Sequence, residues 1–325
     1  MKVNNLVRKL VNDISSIPDG LAAVHNRIDE TNRESTPQLD DLKVLTAKGL
    51  INQIIKHGVF DDIHETEFKV FSQFGDDGII QYLINNVEIE NETFVEFGVE
   101  NYTEANTRFL LINNNWSGLV MDGSKAHVDH IRNDQIYWRY DLTAVHSFID
   151  KENINGLISS NNVSGPIGIL SIDLDGNDYW IWETINVVDP IIVISEYNSV
   201  FGDRHAITIP YDPAFYRTDA HYSNLFWGCS LKALCLLAEK KGYAFVGCNS
   251  NGNNAYFVRK DQLGQLKPHT VASGYVRSRF RESRDAEGKL TYLAGDERVR
   301  PIEDMMVYDL EQSELVKIRD LDIGS

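Results

Sequence analysis

Glu96, Asp122, Asp141, Asp173 and Glu196 each stand at or just past the end of an apolar run. Short apolar runs of this kind read as buried strands. In an open α/β sheet, ligands bind outside the carboxyl ends of the strands. Taken singly, an acidic residue after a strand serves as a turn former or helix cap. Five in succession point instead to one cleft with carboxylates along its edge, suited to a cation or to a ligand rich in hydroxyls.

The dinucleotide fingerprint Gly-x-Gly-x-x-Gly and the phosphate loop Gly-x-x-x-x-Gly-Lys-Ser/Thr are both absent, which disfavours hydride transfer with NAD and nucleotide hydrolysis. An acidic residue after the second strand can hold ribose hydroxyls. S-adenosylmethionine combines a ribose with an ammonium and a sulfonium, so such a cleft suits it. Asp173-Leu-Asp-Gly-Asn-Asp178 looks like the start of a calcium loop, but Thr184 occupies the place of the closing Glu. Asp173, Asp175 and Glu196, with the Asn198 carbonyl, form a candidate set of hard oxygen ligands for Mg²⁺ or Ca²⁺. Asp175 to Asp178 also read as a plain turn and cap. Of the nine histidines, His221 is the preferred general base and His205 the second, because both follow the fifth strand, where substrate loops belong.

The elements that position these residues follow from patterning. Strands are expected over 93–97, 118–122, 135–140, 167–173 and 191–196, with helices over 104–114, 125–133 and 179–185 between them. Alternation on this scale implies a mostly parallel sheet covered on both faces. A helix over 231–241, stopped by Gly242, then leads into strands 243–248 and 255–258. The short Asn/Gly linker between those strands suits an antiparallel hairpin. Near the N-terminus, Val3, Leu6, Val7, Leu10, Val11 and Ile14 form one apolar helix stripe, ended by Pro18-Asp19-Gly20. Leu39, Leu42, Leu45, Leu50, Ile51, Ile54 and Ile55 form a second, with Gly58 as its stop. These stripes pack on the same chain, form a homodimer or attach to a membrane surface.

The chain has 325 residues and a net charge of −17, with 42% hydrophobic residues, enough for a substantial core. The negative balance disfavours nucleic acid and anionic membrane surfaces as partners. The charge is +1 over residues 1–60, −15 over 61–268 and −3 over 269–325. We therefore expect an N-terminal helical segment (1–60), a core domain (61–268) and a C-terminal extension (269–325). Cys229, Cys235 and Cys248 match no zinc or redox spacing, as expected for reduced thiols in a cytoplasmic protein. No signal peptide and no membrane-spanning run of apolar residues is expected. In the extension, Arg277, Arg279 and Arg281 would share one face of a strand, and with Arg284, Arg298 and Arg300 could grip an anionic acceptor. Pairing with Glu282, Asp285 and Glu287 is the plainer alternative. Asp285-Ala-Glu-Gly288 reads as a turn between strands.

Phe94-Val-Glu-Phe-Gly98, Asn106-Thr107, Trp116-Ser-Gly-Leu119, the run from Ser171 to Trp180, Glu196-Tyr-Asn198 and the run from Gly252 to Arg259 together resemble bacterial S-adenosylmethionine-dependent methyltransferases of the FkbM-like kind, over about residues 70–265. The resemblance implies the class I methyltransferase fold, an α/β Rossmann-like sheet in the order 3-2-1-4-5-7-6 with the last strand antiparallel. It implies O-methylation of a small-molecule or glycan acceptor, most plausibly at a sugar hydroxyl in surface-glycan or natural-product assembly. It places Glu96 and Gly98 in the first cofactor loop, Asp122 on the ribose, Asp141 and Leu142 beside the adenine, and Asp173 at the methyl-transfer region. Some sugar O-methyltransferases of similar fold also bind Mg²⁺ beside the acceptor hydroxyls. The loop Gly98-Val-Glu-Asn-Tyr102 departs from the family in lacking a second glycine; Asn101 is tolerable there if its φ is positive, and Glu100 is less expected. That departure keeps a non-catalytic scaffold in a glycan-assembly complex as an alternative, beside a different metal-dependent enzyme using the Asp173 and Glu196 edge.

Overall fold

A computed structural model describes Arg27 and residues 37–323. The first apolar stripe, over residues 3–14, lies outside the described residues. The second is helical over 37–57 (α1) and stops at Gly58, whose φ of 83° and N–H bond to the Ile54 carbonyl end the helix in a left-handed turn. Ile51 and Ile54 are buried, whereas Leu39, Leu42 and Leu45 are exposed. Backbone contacts separate the residues up to Leu50 from a compact unit that begins at Ile51.

The compact unit is built on a seven-stranded sheet. Its strands are β1 (Thr93–Phe97), β2 (Ser117–Asp122), β3 (Leu142–His146), β4 (Gly165–Ile172), β5 (Val188–Glu196), β7 (Tyr243–Cys248) and β8 (Asn254–Arg259). They lie in the order β3-β2-β1-β4-β5-β8-β7. A two-residue strand, β6 (Ile207–Thr208), belongs to another sheet. Counted without it, the order is the expected 3-2-1-4-5-7-6. Strands β1 to β5 are parallel, and β8 runs antiparallel between β5 and β7.

Alternate strand residues feed two cores. Val95, Phe97, Leu119 and Met121 belong to one cluster with Trp182 and Leu234, while Phe94 and Val120 join Ile79, Leu110 and Val128 in the other. The helices over the sheet include α2 (Asp76–Ile84), α3 (Lys125–Asn133), α5 (Ile154–Ser160), α6 (Asp178–Thr184) and α8 (Leu231–Lys241). Helix α8 shows why its bounds were legible. The Ser230 hydroxyl caps the Ala233 N–H, and Gly242 closes the end at φ 85°.

One strand was misplaced by sequence reading. Residues 135–140 are not a strand: Gln135–Arg139 is a short helix, α4, started by the Asp134 carboxylate accepting from the Ile136 N–H. The third strand is Leu142–His146, whose inward residues Leu142 and Ala144 are buried. The helix expected over 104–114 is also shorter, and its main turn is a wide π-type turn at Leu110–Asn114.

The C-terminal residues share structure with the loops after β5. Strands β9 (Met306–Asp309) and β10 (Glu314–Lys317) form a hairpin that pairs with β6. Ile302, Val307, Ile318 and Ile323 pack with Val200, Phe201, Ile207 and Leu225 in a third cluster. Arg277 to Arg281 do not form a strand. Arg277 is ion-paired with Asp296, and Arg281 donates to the Tyr292 carbonyl. The Asp285–Gly288 turn is present, with the Gly288 N–H bonded to the Asp285 carbonyl. All three cysteines are free thiols. Among the described residues, no helix is long and apolar enough to cross a membrane.

Candidate functional site

A cleft of about 740 Å³ opens at the carboxyl ends of the parallel strands. Glu96 and Gly98 enter it from β1, Asp122 from β2, Asp173 and Asp175 from β4, and Glu196 from β5. Eight carboxylates line it, from Glu96, Glu100, Glu104, Asp122, Asp173, Asp175, Glu196 and Glu282, against Arg217 and Arg298 as fixed cations. The cleft is therefore acidic, as the strand-end carboxylates led us to expect.

Asp141 and Leu142 are not there. With β3 starting at Leu142, Asp141 precedes the strand and lies at the opposite end of the sheet, where it is exposed and its carbonyl accepts from the Gly118 N–H. Leu142 is a core residue. The residues that do follow β3 into the cleft are Ser147, Phe148 and Ile149. The Asp134 cap, followed by the β-branched and apolar residues of Leu142–Val145, was the signal that could have found them.

The first loop is held by two carboxylates. Glu96 is buried at the end of β1, where Oε1 accepts from the Asn106 N–H (2.9 Å) and Oε2 from the Thr107 N–H (3.1 Å) and hydroxyl. Burial raises its carboxyl to about 7, against these hydrogen bonds, which pull it down. Asp122 Oδ2 accepts from the Glu100 N–H at 2.8 Å, and Oδ1 from the Ser124 N–H at 2.7 Å. His127 Nδ1 lies 3.2 Å from the same Oδ1.

Positive φ falls on Gly98 (67°), Glu100 (47°) and Tyr102 (62°) rather than on Asn101. Asn101 instead folds its carbonyl oxygen back onto the Thr103 N–H and hydroxyl and does not line the cleft. Left-handed backbone at two bulky residues is strained. It is held by the Asp122 bond at Glu100, and at Tyr102 by the Thr107 hydroxyl and the Arg108 guanidinium. Gly98 is required by packing as well as by φ. A Cβ there would sit 1.7 Å from the Asp173 carbonyl oxygen.

Asp173, Asp175 and Glu196 each bring a carboxylate oxygen to within 4.8 Å of the others. Asp173 and Glu196 are raised well above the usual carboxylate range, by burial first and then by neighbouring charges: Asp175, Asp178 and Glu96 act on Asp173, and Asp173, Asp175 and Asp178 on Glu196. Two carboxylates this close disfavour ionising together, which favours a proton retained between them. Asp175 is exposed and paired with Arg217 at 2.6 Å, and Arg217 lies over the Trp227 ring, 4.6 Å from its centroid.

Asn198 lines the cleft but its side chain is committed. Its amide donates to the Leu225 and Trp227 carbonyls, and its Oδ1 accepts from the Val200 N–H. The three carboxylates thus fit a hard cation and Asn198 does not. Asp178 closes the turn after β4, accepting from the Leu174 and Gly176 N–H groups, as expected for a cap.

Neither preferred histidine lines the cleft. His221 bonds the Ser223 hydroxyl at 2.8 Å, and burial alone lowers its pKa. The His205 carbonyl accepts from Ser230. His127 is the histidine among the cleft residues. Sequence reading also missed the cover of the cleft, formed by Phe215, Tyr216, Arg217, Trp227 and Phe280. Arg217 opens a four-residue helix and the others lie in irregular segments, so periodicity carries no signal for such a cover.

No family model and no curated protein matches the chain. Solved structures do. The N-terminal domain of EvdMO1 with S-adenosylhomocysteine bound aligns over 58% of this chain and 80% of its own, at 10% identity and a TM-score of 0.39. An O-methyltransferase from Bacillus cereus aligns over 64% and 89%, at 13% identity and a TM-score of 0.38. A methyltransferase from Clostridium acetobutylicum that depends on S-adenosylmethionine aligns over 56% and 89%, at 12% identity and a TM-score of 0.37. Such distant likenesses leave the sheet order itself as the basis for the fold.

Proposed function

We propose that the chain is an S-adenosylmethionine-dependent O-methyltransferase acting on a sugar hydroxyl in surface-glycan or natural-product assembly. The observation that carries this reading is the acidic cleft at the carboxyl ends of a sheet in the order 3-2-1-4-5-7-6. The donor set fits a cationic nucleoside. Asp122, with about four lone-pair sites and two backbone donors, keeps acceptor capacity for ribose hydroxyls. Phe148 and Ile149 offer apolar surface beside it for a base. The cofactor would supply an electrophilic methyl group.

The chain's own residues do the remaining work. Phe215, Tyr216 and Trp227 offer faces for a sugar ring, and Asn224 and Asn253 offer amides for its hydroxyls. The Asp173 and Glu196 pair is the general base, its raised pKa making it a stronger proton acceptor than an ordinary carboxylate. Asp173 thus keeps a catalytic role, and the pair replaces His221 and His205 in it.

The test is thermal unfolding with S-adenosylhomocysteine. Ligand at 100 times its Kd stabilises by about 2.7 kcal/mol. No shift in Tm at millimolar ligand overturns the reading. The cluster of Asp173, Asp175 and Glu196 favours an added Mg²⁺, with Arg217 displaced from Asp175. Calorimetric titration of Mg²⁺ into wild type and Asp173→Asn decides this. Two flat traces remove the metal.

A further inference from the structure

Arg298 lines the same cleft, contributed by the C-terminal segment, and is 7% exposed. Among the described residues no carboxylate pairs with it. Its one hydrogen bond runs from Nη1 to the Ser278 carbonyl, at 3.5 Å. Nε is buried without a partner. Nη1 is the nitrogen cis to Cδ, so the edge left unengaged is Nε with Nη2, the side-on fork that matches two carboxylate oxygens. A buried guanidinium without a counter-ion is destabilising, and leaving a buried donor unmade carries a further penalty. Burial, and then the positive charges of Arg217 and Arg277, pull Arg298 down to about 10. Arg217 and Arg277 are themselves engaged, by Asp175 and Asp296. The indole N–H of Trp227, another buried residue of the cleft, is likewise without a partner.

We propose that Arg298 binds a carboxylate on the acceptor, so that the substrate is a sugar acid such as a uronic acid unit rather than a neutral sugar. That the bound sugar is then methylated rests on the methyl-transfer reading; the anion site itself does not. Position separates this site from the cofactor side. Ser278, which holds Arg298, donates its N–H to the Ser199 hydroxyl just after β5, whereas Asp122 and Ser147 lie beyond β1 at the other end of the cleft. Chemistry favours a carboxylate over a phosphate. One free guanidinium edge matches a single negative charge, and the eight carboxylates of the cleft repel a dianion more strongly.

The experiment measures Tm of wild type, Arg298→Gln and Arg298→Lys with sodium glucuronate, glucose or glucose 6-phosphate, with and without S-adenosylhomocysteine. Glucuronate should raise Tm of the wild type saturably and glucose should not. Arg298→Gln should weaken glucuronate about 10- to 100-fold, as for loss of a charge-assisted bidentate pair. Arg298→Lys should restore part of it. Without ligand, Arg298→Gln should melt at or above the wild-type Tm, because an uncompensated buried charge is gone; an arginine that only braces the fold would lower it.

The proposal is overturned by equal glucuronate shifts in wild type and Arg298→Gln, by no glucuronate shift in wild type, or by preference for glucose 6-phosphate. Loss of the S-adenosylhomocysteine shift in Arg298→Gln overturns it too, by assigning the arginine to the cofactor's carboxylate. If S-adenosylhomocysteine fails on the wild type while glucuronate binds through Arg298, the methyl-transfer reading falls and the anion site stands.

Discussion

Replacing Glu196 by Gln tests the shared proton at the heart of the cleft. In the native protein the oxygens of Asp173 and Glu196 lie within 4.8 Å of each other. At that separation and an effective dielectric constant of about 20, two full charges repel by roughly 3.5 kcal/mol. The pair escapes this by retaining one proton, whereas both groups ionise in the unfolded chain.

The folded pKa is thus raised above the unfolded value. Stability is fully present below the unfolded pKa and is lost as pH rises towards the folded one. Each retained proton weakens folding by about 1.4 kcal/mol per pH unit over the window between the unfolded and the folded pKa. Glu196→Gln removes one of the two raised carboxylates, and with it the repulsion. Urea unfolding of both proteins across pH 5 to 8 should give a steeper decline for wild type, with the variant the more stable of the two at pH 8. Glu96, raised to about 7, and Asp77 and Asp178, each raised to about 6, add declines of the same sign. They are common to both proteins and cancel in the difference. Parallel pH profiles, or a wild type that gains stability from pH 5 to 8, would refute the shared proton.

Asp122→Ala should abolish the Tm shift by S-adenosylhomocysteine and lower the unliganded Tm as well, since the Glu100 N–H loses its acceptor; calorimetry and a melt together check both. Gly98→Ala should cost more than about 3 kcal/mol or prevent folding, because its Cβ would meet the Asp173 carbonyl at 1.7 Å in a left-handed backbone, and circular dichroism reads the outcome. Glu96→Ala strands the Asn106 and Thr107 N–H groups and should destabilise by about 2–5 kcal/mol in urea unfolding. His221→Ala should leave methyl-transfer kcat within about twofold, since His221 lies outside the cleft; a large fall in kcat would restore it as the base.

Much of the sheet was legible because its strands are buried on both faces. Short runs rich in β-branched and aromatic residues, such as Phe94–Phe97 and Ile191–Ile194, suit a strand buried on both faces. Helix ends were legible where caps are local, as at Ser230 and Gly242. Gln135–Tyr140 failed because aromatic and β-branched residues satisfy strand and helix patterns alike over six positions, and only the Asp134 cap tipped the balance. That one-element shift moved Asp141 from the cleft to the far end of the sheet.

From the sequence alone came the order of elements, the acidic strand ends and the first loop's missing glycine, all set by neighbours along the chain. The tertiary structure decided which carboxylates do chemistry and which hold backbone. Glu96 and Asp122 spend their oxygens on the first loop, Asp178 closes a turn, and Asp173 and Glu196 face each other. It also brought Arg217 and Arg298 over the cleft from segments without periodicity. Hydrogen-bond partners and buried charges are set by residues far apart in the chain, and spacing cannot encode them.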